Sequence, residues 1–426
     1  MADVRPLLGL RYDLGRVGSL SSVIAPPYDV ISPEEQLNYQ QKSPYNIVRL
    51  ESGARQALAS ATSRQAQLAA IFSSWIREGI LKRDSHPAFY LVEHRFTYQE
   101  KERSCWGLIC RAKLELDQGQ IRPHEATSSE PIRDRLLLLR ACQANLSAIT
   151  GLFQSEQTLP TLLSNTLSLP PVATAEEQGV TYHIWAVDQE EQLSQISDFF
   201  AHKTLYLADG HHRYAAAWAY RQEISHRDQD HPSDFVLMTL FNAQDPGLVV
   251  FPVHRLVGGL GPREAAKLES QLKLYFQVEE LPSGSASWLA RLQQKGKEGK
   301  VIGLYQPFER KFELLIPRWE KLQELLPQNK PPVWREIELN LLHRVIFKEL
   351  LGIDRARQEE KQVSYVSDGM RAIEEANQTG KLAFLLNPLR TSQIISLAEE
   401  NLRLPRKSSY FYPKTPAGLV INPLWA

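Results

Sequence analysis

Apolar and polar positions along this chain follow two periods, and the period switches repeatedly. Over residues 55–79 apolar side chains recur at Leu68, Ile71, Phe72, Trp75 and Ile76. That is the spacing of an amphipathic helix, which Gly79 ends. Two β-type runs follow, AFYLVEHRFTY at 88–98 and CWGLICRAKLEL at 105–116, and the polar QEKERS between them predicts a hairpin. A loop, IRPHEATSSEP, leads to a helix over about 131–145. From residue 180 strands and helices alternate: TYHIWAV, a helix near 189–201, TLYLADG, a helix near 211–226, then DFVLMTLF and LVVFPV. A second alternating stretch covers about 262–400, with strands at VIGLYQP, KFELLIP and LAFLLNP. The tail, SSYFYPKTPAGLVINPLWA, reads as two short strands about a Pro/Gly turn. Prolines at 26, 27 and 33 predict an extended, rigid loop over 17–33 rather than a helix. The polar stretches 155–180 and 280–300 are the candidate linkers. The pattern predicts an α+β (mixed α/β) fold of two lobes, with mixed sheets and packed helices. Residues 1–260 form the main lobe, and 261–426 form a second α/β lobe whose C-terminal strand returns to the site.

Composition narrows the class. The 426 residues carry 49 Lys plus Arg against 49 Asp plus Glu, a formal charge of zero, with 43% hydrophobic and 23% charged residues. That excludes a disordered or fibrous chain. A balanced charge, with no basic recognition helix in view, also argues against nucleic acid as partner. The opening MADVRPLLGLRYD is not a secretory signal, and RLLLLR at 135–140 is bracketed by arginines, so no membrane-spanning helix is expected. Three cysteines without a CxxC pair make no disulfide framework; Cys105 and Cys110 are expected to pack in a strand. The expected location is cytoplasmic, with no zinc, haem or flavin.

The densest chemistry lies in TLYLADGHHRYAAAWAY, residues 204–220. The β run ends at Ala208, Asp209-Gly210 turns the chain, and Ala-rich sequence starts a helix at once, with Asp209 near its N-cap. The free amides of a first helical turn favour an anion, and Gly210 allows close backbone approach. His211, His212 and Arg213 add donors, and Arg213 suits bidentate phosphate binding. The plainer alternative is a capped helix start with solvated His and Arg. Neighbours on a helix point about 100° apart, which disfavours one metal ion shared by both histidines.

Three other stretches carry candidate residues. In APPYDVIS, at 25–32, two prolines set Tyr28 and Asp29 on a stiff loop. Asp29 there could hold Mg²⁺ or accept a substrate proton, or could merely cap a turn. HEATSSEP places His124 and Glu125 in a polar loop. It is not HExxH, because Ser128 stands where the second histidine would be, so a zinc protease is excluded. Glu125 could deprotonate a hydroxyl, or both side chains could be solvated. LRLPRKSSYFYPK, at 402–414, has Arg403, Arg406, Lys407 and Lys414 and no acidic residue. With Ser408, Ser409 and the alternating Tyr410, Phe411 and Tyr412 it could bind phosphate and stack a base, or form an edge strand with an aromatic inner face. Walker A, GxGxxG after a strand, and GxSxG are absent from the sequence.

DGHHRYAAA resembles the phosphate-gripping strand-turn-helix of the ParB/sulfiredoxin-like superfamily, with its DGxHR or GxxR signature. The chain as a whole is similar to a bacterial and archaeal domain-of-unknown-function family, number ten-fifteen. That resemblance rests on APPYDVIS with PYNIVRL, on HEATSSEPIRDRLLLLRACQANLSAI preceding ADGHHRYAAA, and on LPRKSSYFYPKTPAGLV. In the family the last segment usually begins with Met and has Thr where Ser409 stands, so Leu404 and Ser409 are departures that keep the hydroxyl. ParB-like relatives include nucleotide-driven clamps, an ATP-using sulfinic-acid reductase and a free-serine kinase, which implies nucleotide phosphate at the GxxR turn. The resemblance also raises Arg133 and Arg135 as anion contacts.

The expected function is an enzyme acting on a phosphate-bearing small molecule, a nucleotide-dependent phosphotransferase or phosphohydrolase, with an amino-acid or phosphoserine-type substrate among the candidates. Asp209, Gly210, His211, His212, Arg213, Arg406, Lys407, Ser408 and Lys414 would bind phosphate. Asp29, Glu125 and His211 would be catalytic, Asp29 also the Mg²⁺ ligand, with Tyr28, His124, Arg133, Arg135 and Tyr412 nearby. The cofactors would be Mg²⁺ and a nucleoside di- or triphosphate. The alternative is a nucleotide-binding switch or sensor without turnover. On this reading Arg213→Ala abolishes phosphate binding and leaves thermal stability nearly unchanged.

Overall fold

The run Phe235–Asn242 is apolar at most positions and buried at every one, as a strand covered on both faces must be. In the computed structural model, which describes residues 2–51, 61–115, 119–224, 230–282, 284–353 and 361–425, this strand is central to a mixed sheet. The protein is mixed α/β, and its contacts divide it into two units. One comprises Met1–Pro123, Thr127–Val249 and Phe411–Ala426; the other comprises His124–Ala126 and Val250–Tyr410.

The sheet of the first unit runs, edge to edge, Ile121–Arg122, Leu205–Asp209, Ile149–Phe153, Phe235–Asn242, Lys101–Lys113, Phe89–Tyr98, Val180–Val187 and Ala173–Glu177, with Val4–Arg5 paired to Lys101–Lys113. Leu205–Asp209 lies antiparallel to Ile149–Phe153, which is parallel to Phe235–Asn242. Phe89, Leu108, Cys110, Ile149, Leu207 and Met238 meet in the core, with Ala216 and Ala217 of the helix His211–Glu223 packed among them. In the second unit the strand order is Phe276–Leu281, Lys311–Pro317, Ile302–Gln306, Leu382–Leu385, His254–Val257 and Val363–Val366. Trp288, Phe312, Leu314, Ala372 and Leu385 form its core.

Most expected elements are present, with instructive differences. The hairpin turn is Gln99-Glu100 alone, both in the left-handed region (φ 51° and 60°), which matches strand twist in a two-residue turn. Lys101–Ser104, read as loop because it is polar, is the solvent-facing end of the strand Lys101–Lys113. Within 17–33 a one-turn helix, Leu20–Val23, buries Leu20 and Val23, and Pro33 opens the helix Pro33–Lys42 under a Ser32/Glu35 capping box. Of the two candidate linkers, the first contains the strand Ala173–Glu177 and the second the helix Ser285–Glu298. The helix expected at 131–145 is Ser129–Cys142, and Ala144–Asn145 pairs instead with Asn422–Pro423. The amphipathic helix is Ala61–Arg77, with Leu68, Phe72 and Trp75 buried; its expected start at 55–60 lies outside the described residues, as do 116 and 225–226. Cys105, Cys110 and Cys142 are buried thiols whose pKa burial pushes up.

Candidate functional site

Leu205–Asp209 ends where Gly210 takes φ +88°, and the helix starts at His211. Gly210 is needed twice over. A side chain would be strained at that φ, and its Cβ would lie 3.0 Å from Nε and from a terminal nitrogen of Arg213. The Arg213 guanidinium is therefore folded back over the turn. It is 8% exposed, donates to the Ala148 carbonyl, and donates to Asp209 Oδ2 at 3.1 Å. Its Nε has no hydrogen-bond partner among the described residues. Lys414 Nζ stands 3.3 Å from Asp209 Oδ1, and its side chain is also nearly buried. One carboxylate thus lies between two cations at a helix N-terminus. His212 Nε2 accepts from the Ser128 amide at 3.2 Å, which fixes the proton of its neutral form on Nδ1; His211 is buried.

The stiff APPYDV loop meets the same unit's helix Ser129–Cys142 at Arg135. The Arg135 guanidinium lies 3.8 Å above the Tyr28 ring and bonds Glu51 Oε2 at 2.6 Å, the Glu51 carbonyl at 2.8 Å and Asp134 Oδ2 at 2.6 Å. Arg135 and Glu51 are both buried, so each charge depends on the other. Burial pushes the Tyr28 hydroxyl up to about 12; the charge of Asp29 adds to this, while Arg135 and Arg213 oppose it. Asp29 itself is exposed, and Arg133 is exposed on the face of the helix away from Arg135. Glu51, Arg135, Ser147 and Arg213 line a cavity of about 30 Å³ floored by Leu138 and Ile149, room for roughly two waters. The ring of Tyr412 is edge-on to Phe96, with centroids 5.1 Å apart.

His124, Glu125, Arg406, Lys407 and Ser408 belong to the second unit. There Glu125 accepts from the amides of Lys407, Ser408 and Ser409, and fully buried His124 places Nε2 3.1 Å from Ser409 Oγ. The Ser408 hydroxyl, a candidate phosphate donor, donates to the Pro405 carbonyl.

Folding therefore brings Tyr28, Arg135, Asp209, Gly210, Arg213 and Lys414 into one unit's assembly. Sequence reasoning missed Glu51, Ser147, the Ala148 carbonyl and the Ser128 amide. A carboxylate directly after the apolar IVRL run was the available signal for Glu51. Among the described residues no group of three or more His, Cys, Asp and Glu is placed to hold a metal ion, and no helix is long and apolar enough to cross a membrane.

No curated protein matches the chain. Among solved structures it is similar to a free serine kinase in complex with AMP, at 10% identity and TM-score 0.36, over 70% of this chain and 89% of that one. It is similar also to a conserved hypothetical protein from Pyrococcus furiosus, at 10% identity and TM-score 0.35 over 70% and 90%. SbnI from Staphylococcus aureus, truncated at its C-terminus, matches at 10% identity and TM-score 0.36 over 71% and 84%. Residues 4–340 match the family model described as a protein of unknown function, DUF1015, and the chain belongs to that family.

Proposed function

We propose that the turn Asp209–Arg213, with Lys414, is the phosphate cradle of an enzyme acting on a phosphate-bearing small molecule, of the nucleotide-dependent phosphotransferase or phosphohydrolase class. The observation that carries this reading is the convergence of Lys414 and Arg213 on Asp209 at the start of a 13-residue helix. Arg213 and Lys414 bring cationic donors to the turn where the first-turn amides also favour an anion. Phosphoryl transfer depends chiefly on positioning and charge stabilisation, which such a cradle supplies. Tyr28 keeps its proton at neutral pH, and exposed Asp29 beside it is our choice for the base that accepts a substrate proton. Mg²⁺ usually keeps several waters and takes one or two carboxylates plus substrate phosphates, and the single carboxylate of Asp29 fits that demand.

The test is thermal unfolding with ATP, ADP, AMP and inorganic phosphate, with and without Mg²⁺, on the full chain and on Lys414→Ala. We expect stabilisation of the full chain by at least one phosphate compound and loss of most of it in the variant. Equal shifts in both proteins, or none in either, would overturn the cradle. Product release over long incubation, abolished by Asp29→Asn, separates turnover from binding alone.

A further inference from the structure

We propose that the main-chain turn Lys407–Ser409 is a second anion site, shaped for phosphate oxygens, and that the Glu125 carboxylate occupies it as an intramolecular stand-in. Three successive amides converge on that one group. Lys407 N lies 3.2 Å from Oε2, and Ser408 N and Ser409 N lie 2.9 and 3.2 Å from Oε1. The Ser409 hydroxyl adds a contact at 3.3 Å. Successive N–H groups turned inward form an anion-binding concavity, and here Lys407 provides the turn by adopting φ +57°.

The shape of the concavity is held by groups other than the carboxylate inside it. Arg255, fully buried, donates to the Lys407 carbonyl at 2.9 Å and to the Val253 carbonyl. Ser408 Oγ bonds the Pro405 carbonyl, Leu404 N bonds the His124 carbonyl at 2.8 Å, and Ala126 N bonds the Leu404 carbonyl at 3.0 Å. These fasteners persist when the Glu125 carboxylate leaves, so the turn is pre-organised rather than induced. Oxygen number and charge then decide the competition. A carboxylate offers two oxygens and one negative charge, whereas phosphate offers more oxygens and up to two charges. Entry of a phosphate group displaces Glu125 and releases its carboxylate, and by linkage the bound carboxylate weakens phosphate affinity to the same degree.

The experiment is calorimetric titration of inorganic phosphate into the full chain and into Glu125→Ala, with selective ¹⁵N-serine labelling to follow the Ser408 and Ser409 amides. We expect at least about tenfold tighter binding in the variant, a difference of about 1.4 kcal/mol, together with movement of both amide resonances. Glu125→Gln, which keeps the shape and loses the charge, should lie between the two and carries the test if the alanine variant fails to fold. Affinity no tighter in either variant, with Ser408 and Ser409 unmoved, would show that Glu125 only fastens the loop. Phosphate held at Asp209–Arg213 would appear alike in all three proteins and leave these two resonances in place, so either reading can fail alone.

Discussion

Arg213→Ala separates a structural arginine from one kept only for a ligand. The substitution strips the Ala148 carbonyl of its donor and Asp209 of one of its two cations. A buried acceptor left without a donor costs about 1–3 kcal/mol, and a lost charge-assisted bond about 1.5–3 kcal/mol. Because Lys414 still stands 3.3 Å from Asp209, the carboxylate keeps partial compensation, and the total should be about 3–5 kcal/mol. For a unit of this size that is roughly 6–15 °C in Tm. Equilibrium urea unfolding measures it directly, with Arg213→Lys losing less because a lysine restores charge but not the fork. A loss under about 1 kcal/mol for Arg213→Ala would refute the argument and return the residue to a purely ligand-binding role. The inward-facing side chain thus predicts the opposite of the reading from sequence, in which stability is nearly unchanged.

Glu51→Gln keeps the shape of the Arg135 partner but removes its charge, and urea unfolding should register a loss of about 3 kcal/mol, since both side chains are 3% exposed. His94, fully buried with its ring against Tyr182 and Phe241, has its pKa lowered by burial to about 3. The folded value lies below the unfolded one, so the stabilisation is complete above about pH 6.5 and is lost as pH falls from there towards 3. From pH 7 to 4 this residue alone should remove roughly 3 kcal/mol, and His94→Phe should flatten that part of the pH–stability curve.

What the sequence determined by itself was local. The strand Leu205–Asp209, the turn at Gly210 and the helix behind it follow from an apolar run, a residue free to take positive φ and a series of helix formers, all within about twenty positions. The buried central strand Phe235–Asn242 was legible for the same reason. Where the text failed locally, at Lys101–Ser104, a polar composition marked a strand's exposed end rather than a loop.

Only the tertiary structure decided which charges meet. Glu51 reaches Arg135 from 84 residues away, and Lys414 reaches Asp209 from the far end of the chain. No period or propensity encodes such a pairing, because an ionised side chain becomes stable in the interior only when its partner is already there. The same rule turned Arg213 inward, onto the Ala148 carbonyl of a neighbouring segment. Arg213 and Lys414, 201 positions apart, converge on the Asp209 carboxylate, and that convergence exists only once the backbone has folded.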